Sequence, residues 1–297
     1  MSKINIILTC SSNKKLEAPP FLSLKNYKKE NVKKLSKSWM DNIINNSSST
    51  LPAIKMYKGV YWEVVKKLYN NPKVNKIWVI SAGYGLINVN DNISSYNIGF
   101  KDKSLNSIKL NTLNPSKNVF SEWWDNITNI TQNKIFQLYD PNEIYIIYAS
   151  YDYMKAIKND ISKIVSKPNI FIVSPDTKIK QFKPYILYTP SNLRYILGGN
   201  KMTSSIKVVE YLVNNFDEFN HNKINNHFKC LLNQANIPPQ IRAKRKKIGD
   251  EEMIKYIKEI GINSPFTSIF NFIRDKGIAA GEARIIRLIH ALKQNNG

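Results

Sequence analysis

Short apolar, β-branched runs alternate along the chain with longer segments in which apolar residues recur at helical spacing. Buried strands are predicted at residues 4–9, 77–81, 144–149 and 170–174, with a fifth at 185–189. The segments between them predict helices at 22–44, 57–69, 119–138 and 153–165. Strands separated by helices of this length indicate βαβ units. We therefore expect an α/β fold, with a parallel sheet of four or five strands flanked by helices.

The pattern changes after residue 203. A helix pair is predicted at 203–219, and residues 236–249 then combine two prolines with a basic run, as a linker or domain edge does. Three short helices follow at 250–260, 265–276 and 279–292, with Gly261 and Gly277 where glycines end helices. The sequence thus predicts an α/β domain over 1–235, a basic linker over 236–249 and a small helix-turn-helix-like module over 250–297.

Composition excludes several classes of protein. A hydrophobic fraction of 42% is enough for a buried core, and no run approaches 18 apolar residues. The first residues lack the layout of a signal peptide, so we expect a soluble protein that stays in the cytoplasm and does not enter a membrane. Two cysteines, Cys10 and Cys230, make neither a disulfide framework nor a zinc cluster. We expect no metal and no cofactor.

The net charge of the chain indicates what kind of molecule it binds. Lysine and arginine number 44 against 22 acidic residues, a formal net charge of +22. Such an excess attracts polyanions, and neutralised phosphates release their counterions. A lysine-rich composition imposed by an AT-rich genome is the plainer explanation, and an anionic membrane is the competing partner. Because the basic residues cluster, we expect nucleic acid: DNA first, with RNA as the alternative. The sequence carries no signal for the oligomeric state.

Small polar residues and glycines follow four of the predicted strands, at 10–15, 81–86, 150–153 and 174–176. In parallel α/β sheets, ligands bind in the crevice beyond the carboxyl ends of the strands. Glycine and small hydroxyl residues let a ligand approach backbone N–H groups closely. We therefore predict that residues 10–14, 81–86 and 91–100 converge at one end of the sheet.

Three of these loops carry a resemblance. Residues 9–14 are Thr-Cys-Ser-Ser-Asn-Lys, residues 81–86 are Ser-Ala-Gly-Tyr-Gly-Leu, and residues 93–97 are Ile-Ser-Ser-Tyr-Asn. Over roughly residues 4–100 they resemble a bacterial and phage family with Cys-Ser-x-x-Lys, Ser-Ala-x-x-Gly-Leu and Ile-x-x-Tyr-Asp loops, a pattern similar to one in archaeosine synthase. The set resembles the uracil-DNA-glycosylase-like superfamily and anti-phage DNA glycosylases. The resemblance implies a uracil-DNA-glycosylase-like fold. It also implies an activity, the release of a modified base that has been flipped out of phage DNA.

The chain departs from the family at one position, having Tyr96-Asn97 where the family has tyrosine and aspartate. Asparagine can position a water molecule but carries no charge. Asp91, in the same loop, is the rival source of a carboxylate, so Asn97 and Asp91 are the catalytic candidates. The alternative is that Tyr96 and Asn97 simply form a turn.

The resemblance also suggests which side chains contact the substrate. Aromatic rings would stack on the base, polar side chains would read its edges, and Lys14 would hold a phosphate. As alternatives, each ring is a packing residue, Ser81 caps a turn, and Cys10 is a small buried residue rather than a nucleophile. The substrate-binding candidates are Cys10, Ser11, Asn13, Lys14, Ser81, Tyr84, Tyr96 and Phe100. No histidine lies near these loops, which argues against a histidine-dependent triad or metal site.

Basic residues outside these loops are the candidates for contacts with the nucleic-acid backbone. They lie in the glycine-containing loop 188–201, in the basic run, and on the last helix of the small module. For the loop 188–201, the alternative is an ordinary surface turn. For the basic run it is solvated charge, and for the small module it is a helical hairpin that does not bind DNA. The candidates are Arg194, Lys201, Arg242, Lys244, Arg245, Lys246, Lys247, Arg284 and Arg287.

Three functions follow from the sequence. The first is a DNA glycosylase-like enzyme that cleaves the N-glycosidic bond of a modified base in anti-phage defence. The second is a tRNA-binding or tRNA-modifying protein related to archaeosine synthase. The third is a non-catalytic module that binds nucleic acid, which the Asn97 departure keeps open.

Overall fold

The computed structural model describes residues 3–46, 48–102, 104–235 and 245–294. The chain forms two compact units, Met1–Ile237 and Pro238–Gly297, each with its own core. Within the described residues, no helix is long and apolar enough to cross a membrane. Arg242 and Lys244, two of the candidates for backbone contacts, lie outside the described residues.

The larger unit is built on a mixed sheet. Its described strands are β1 Ile4–Thr9, β2 Thr50–Pro52, β3 Val74–Ser81, β4 Gly85–Asn88, β5 Asn92–Ser94, β6 Ile144–Tyr148, β7 Ile170–Ser174 and β8 Ile186–Tyr188. Six of them form the main sheet in the order β4-β3-β1-β6-β7-β8, and β2 pairs with β5 outside it. Strands β3, β1, β6, β7 and β8 run parallel, as the sequence predicted.

The prediction of four or five strands was wrong, because the main sheet has a sixth strand. Gly85 adopts φ +74°, which reverses the chain directly after β3. Residues 85–88 then pair antiparallel with β3, with Ile87 opposite Val79. In the sequence these residues looked like the loop that follows a strand, since nothing local distinguishes a ligand-binding turn from a hairpin.

Helices cover the sheet. In the larger unit they are α1 Val32–Asn45, α2 Ala53–Met56, α3 Val60–Tyr69, α4 Ile108–Asn111, α5 Val119–Thr131, α6 Tyr151–Ile161, α7 Arg194–Leu197, α8 Ser204–Asn215 and α9 His221–Gln234. The first long helix begins ten residues later than the predicted start at 22. Pro20 opens a short 3₁₀ turn instead, and the Asn31 side chain accepts the Lys34 N–H to start α1.

The loop between β3 and β4 is fixed from below by two tryptophans. Trp39 and Trp123 are fully buried, and their indole N–H groups donate to the carbonyls of Gly83 and Ala82, at 2.8 and 2.9 Å. Buried indole N–H groups need a partner, so these bonds hold the loop backbone in one place. The same loop supports the ring of Tyr96, because a Cβ at position 83 would lie 2.9 Å from that ring.

Gly83→Ala is therefore expected to destabilise the fold by about 1–3 kcal/mol, the usual cost of overpacking a core. Gly99→Ala is the matched control, since its Cβ would meet nothing closer than 4.0 Å. That control should stay within about 0.5 kcal/mol of the parent. Chemical denaturation of the three proteins measures the difference. Equal stabilities for the two variants would contradict the tight contact with Tyr96.

The smaller unit consists of α10 Asp250–Ile260, α11 Phe266–Asp275 and α12 Glu282–Gln294. Met253, Ile257, Ile269 and Ile285 are among the apolar residues buried between these helices. Helices α11 and α12, joined by a turn at Gly277 with φ +74°, have the order of a helix-turn-helix. The three helices predicted for this region are present.

Candidate functional site

The parallel strands place a crevice between β1 and β6. From β1 the chain continues to β3 on one side of the sheet, and β6, β7 and β8 follow on the other side. At such a switch point the connections leave in opposite directions and open a binding crevice beyond the strand ends. A cavity of about 320 Å³ lies there. It is lined by Cys10, Ser11, Ser12, Lys14, Tyr96, Asn97, Ile98, Gly99, Phe100, Lys101, Ser104, Asn106 and Tyr153.

Cys10 and Tyr153 join the two sides of this crevice. Cys10 directly follows β1, and Tyr153 lies in the first turn of α6, just after β6. The Cys10 thiol and the Tyr153 hydroxyl are 3.1 Å apart. The ring of Tyr153 also packs edge-on against Phe100, with the ring centroids 5.2 Å apart. One cavity wall is therefore held by contacts between residues that follow two different strands.

The cavity floor rests on a buried chain of hydroxyl groups. The Ser81 and Tyr96 oxygens are 2.7 Å apart, and so are the Tyr96 and Tyr57 oxygens. All three residues are fully buried. Burial raises the pKa of Tyr57 and of Tyr96 well above the ordinary value, so both remain neutral phenols. The floor is thus rigid and uncharged.

Lys14 brings a positive charge to this floor. Its Nζ lies 3.9 Å from the centroid of the Tyr96 ring and 3.4 Å from the Ser11 carbonyl oxygen. Burial lowers the pKa of Lys14 to about 8, and Cys10 acts in the opposite direction. No aspartate or glutamate is among the described residues that line the cavity. Lys14 can therefore hold an anionic group there, and it can release a proton near neutral pH.

A second recess of about 490 Å³ adjoins the first. Ser12, Lys14 and Asn97 line both, so these side chains form the partition between them. The second recess also contains Glu17, an exposed residue and the one carboxylate among the described residues that line either space. A ligand that spans the partition would place its middle at Lys14 and Asn97.

Asn97 is fixed by the segment that precedes α1. Its backbone N–H donates to the Leu22 carbonyl at 2.7 Å, and its carbonyl accepts the Leu24 N–H at 3.0 Å. Its side-chain nitrogen donates to the Ser23 hydroxyl at 3.1 Å. With the amide nitrogen on Ser23, the amide oxygen is the group that can accept a hydrogen bond from water. The exposed side chain is therefore oriented although it lies in a loop.

The structure does not bring every predicted residue to the cavity. Asp91 is exposed, and its carboxylate accepts the Asn88 N–H at 2.7 Å, which closes the turn between β4 and β5. Ser81 lies beneath the floor, where its hydroxyl accepts the Tyr84 N–H. The Tyr84 hydroxyl accepts the Ser94 N–H, and Tyr84 does not line the cavity. Residues 10–14 and 96–100 thus converge as predicted, whereas 81–86 and 91 do not line the cavity.

The stacking roles suggested for the rings are not possible in this arrangement. Tyr96 and Phe100 line the floor but are 0% and 1% exposed. One face of Tyr96 is covered by Lys14, and Phe100 packs against Phe120 and Tyr153. The half-buried aromatic at the cavity is Tyr153, which the site prediction omitted. Its place just after the third predicted strand was the signal that could have found it.

The remaining polar candidates have defined positions. The Ser11 hydroxyl donates to the Lys58 carbonyl at 3.1 Å and lines the cavity. Asn13 lines only the second recess, and its backbone carbonyl accepts the Lys58 N–H at 3.0 Å. The residues after β1 are therefore tied to the start of α3 by several bonds. This loop presents its side chains on a fixed backbone.

Leu105 is an exposed apolar residue beside the cavity lining, and the sequence did not reveal it. It is 75% exposed and stands between Ser104 and Asn106, which both line the cavity. Its turn is braced, because the Asn106 carbonyl accepts the Gly99 N–H and the Asn106 side chain accepts the Lys25 N–H. A large apolar side chain is thus exposed on a fixed turn whose flanking residues line the cavity. In a sequence such a leucine is indistinguishable from a core residue.

The candidates for backbone contacts fall into two groups. Arg194 and Lys201 belong to the larger unit but lie outside the cavity lining, and Arg194 stacks on Tyr195 with 4.5 Å to the ring centroid. In the smaller unit Arg245, Lys246 and Lys247 are exposed, and Lys246 lies 3.6 Å from Glu252.

Arg284 and Arg287, also in the smaller unit, share one partner. Each has a nitrogen 2.6 Å from the Asp250 carboxylate. The predicted positive charge of these two arginines is therefore partly neutralised by Asp250. Contact with a phosphate would have to compete with this shared carboxylate, of which each arginine binds one oxygen.

Comparison with known family models, curated proteins and solved structures finds no match for the chain. The site offers two adjoining spaces, a cation of lowered pKa and a fixed amide on the partition between them, and one carboxylate on the far side. This arrangement suits a ligand that has two parts joined at a bond between the spaces.

Proposed function

We propose that the chain is a DNA glycosylase-like hydrolase of the uracil-DNA-glycosylase-like superfamily, which removes a modified base from phage DNA and acts in the cytoplasm. The observation that carries the proposal is the partition formed by Lys14 and Asn97 between two adjoining spaces. A nucleoside has two parts joined by one N-glycosidic bond. With the flipped base in the first cavity and the sugar in the second recess, that bond crosses the partition.

Each group on the partition has a defined task in breaking this bond. The bond breaks with its electron pair moving to the base, and the Lys14 ammonium donates a proton to the departing base. The Asn97 amide oxygen accepts a hydrogen bond from the water that attacks C1′, and the proton that this water loses passes to the solvent. The positive charge that develops on the sugar is stabilised by Glu17 and by the DNA phosphates. The size of the first cavity, about 320 Å³, is within the range of small-ligand sites.

Base flipping needs a group to occupy the gap that the base leaves in the stack. Apolar side chains inserted between base steps perform this task in many DNA-binding proteins. Leu105 is 75% exposed and lies between Ser104 and Asn106, which line the cavity. The exposed Lys58 and Lys101, one beside each space, are placed to bind the phosphates that flank the flipped nucleotide.

Asn97→Ala is expected to slow base release by about 10²-fold, because the attacking water is no longer positioned. DNA affinity should stay unchanged, since phosphates supply most of it. The assay incubates wild type and variant with modified and unmodified phage DNA and measures released bases by mass spectrometry. Wild-type release by Asn97→Ala would remove the residue from the mechanism.

Asp91→Ala serves as the matched control in the same loop. Its carboxylate closes a turn, so its loss should cost about 1 kcal/mol of stability and leave the release rate of folded protein unchanged. Binding of tRNA with no base released from any DNA would favour the RNA-directed alternative. DNA binding without base release would favour a non-catalytic binder.

A further inference from the structure

The amine of Lys14 remains in the cavity after a base has left, and this gives the site a second reaction. We propose that Lys14 is the nucleophile of an abasic-site lyase, whose Nζ forms an imine with C1′ of the sugar. The inference rests on the proposed function for its substrate, a DNA strand with one base removed. It adds a covalent step that hydrolysis of the glycosidic bond does not need.

The position of the amine is fixed by contacts on both sides of residue 14. The Lys15 N–H donates to the Met56 carbonyl at 2.8 Å, and the Asn13 carbonyl accepts the Lys58 N–H at 3.0 Å. At the other end of the side chain, Nζ lies 3.9 Å from the Tyr96 ring centroid. A nucleophile whose side chain is held in this way loses little freedom when it reacts. The amine therefore lies at the partition in a defined position.

The surroundings of Lys14 also favour the free amine. The described lining of the cavity contains no carboxylate, and Glu17, the carboxylate of the adjoining recess, is exposed. Because the pKa of Lys14 is lowered to about 8, roughly one molecule in ten carries the free amine at pH 7. An exposed lysine with the ordinary pKa of about 10.4 does so in fewer than about one molecule in a thousand. Desolvated lysines of this kind serve as Schiff-base nucleophiles.

The two reactions are linked by one proton. When the Lys14 ammonium gives its proton to the departing base, it becomes a neutral amine beside C1′. After water has added at C1′, the abasic sugar opens to an aldehyde. The Nζ lone pair attacks that aldehyde carbon, and the carbinolamine loses one water molecule to give the imine. A C2′ proton then passes to water while the C3′–O bond breaks and the 3′-phosphate leaves.

The test traps the imine on DNA that needs no modified base. An oligonucleotide with one abasic site is incubated with the full-length protein and cyanoborohydride, which reduces an imine to a stable amine. A denaturing gel detects the covalent adduct, and peptide mapping by mass spectrometry identifies the linked lysine. We expect the adduct on Lys14 in the wild-type protein.

Lys14→Arg retains the positive charge but has no amine that can form an imine, so the adduct should fall at least about 100-fold. DNA affinity, measured in parallel, should be retained. Lys15→Arg is the matched control, because Lys15 is the exposed lysine next to Lys14 and lines neither space. It should form the adduct at the wild-type level.

The outcomes separate this inference from the proposed function. Base release from modified DNA with no adduct on Lys14 would overturn the lyase and leave the glycosylase standing. An adduct on Lys14 without base release from any DNA would support the amine chemistry and reject the glycosylase. An adduct that maps to other lysines overturns the lyase, and because mapping uses the wild-type protein, this result does not depend on how the variants fold.

Discussion

Lys14→Met is expected to slow base release by about 10²- to 10⁴-fold, the usual contribution of a positioned proton donor. Methionine keeps the length and apolar character of the lysine stem, so the contact with Tyr96 is retained. Lys14→Arg is the matched control for charge. Arginine does not give up a proton at neutral pH, so we expect normal DNA affinity and slow release. Single-turnover base release measures both variants, and fast release by either would contradict the assignment.

The same assignment predicts a dependence on pH in the wild-type protein. The protonated form of Lys14 is the donor, so release should fall as the pH rises through about 8. The ionisable groups that face Lys14 and its cavity are Cys10, Tyr57, Tyr96, Tyr153 and Lys101, and the exposed Glu17 and Lys58 line the adjoining recess. Burial raises the pKa of all three phenols well above the ordinary value, so they stay neutral in this range.

The variant Cys10→Ser replaces the thiol near Lys14 by a hydroxyl, so the thiol cannot contribute to the dependence of base release on pH. The decline near pH 8 should persist in that variant, although its midpoint can move because Cys10 raises the pKa of Lys14. Lys14→Arg should show no decline between pH 7 and 9. A flat wild-type profile over the same range would mean that the Lys14 proton takes no part in the rate-limiting step.

Leu105→Ala is expected to slow base release from duplex DNA by about 10- to 100-fold and to leave release from single-stranded DNA unchanged. A leucine that moves from water into a base stack gains about 1.5–3 kcal/mol, and each 1.4 kcal/mol is a factor of ten. In single-stranded DNA there is no opposite strand and no stack to keep open. The side chain is 75% exposed, so the substitution should not weaken the fold.

Leu113→Ala is the matched control. Leu113 is 53% exposed and lies on the same stretch of chain, but its two neighbours in sequence do not line the cavity. Release from both substrates should match that of the wild type. An equal loss on duplex and single-stranded DNA for Leu105→Ala would mean that Leu105 shapes the cavity rather than opens the stack.

The sequence alone determined the parallel part of the fold. Four of the five predicted strands are apolar runs that are mostly buried on both faces, such as Ile4–Thr9, in which all six residues are buried. Such a run needs helices on both sides, and the spacing between the runs leaves room for one helix each. The position of the cavity followed as well, because the residues after β1 in a sheet of this kind lie at its binding edge.

The tertiary structure alone decided which residues near that edge face the ligand space. Tyr96 and Asn97 are neighbours in sequence, yet one is fully buried over Gly83 and the other is exposed and held by Ser23. The Asp91 carboxylate accepts a hydrogen bond that closes a turn, and Leu105 is exposed between two residues that line the cavity. Burial and hydrogen bonding depend on partners far away in the sequence, as the contact of Lys14 with Tyr96 shows. A local pattern reports only the preferences of its own residues, so it identified the loops but not the roles of the side chains within them.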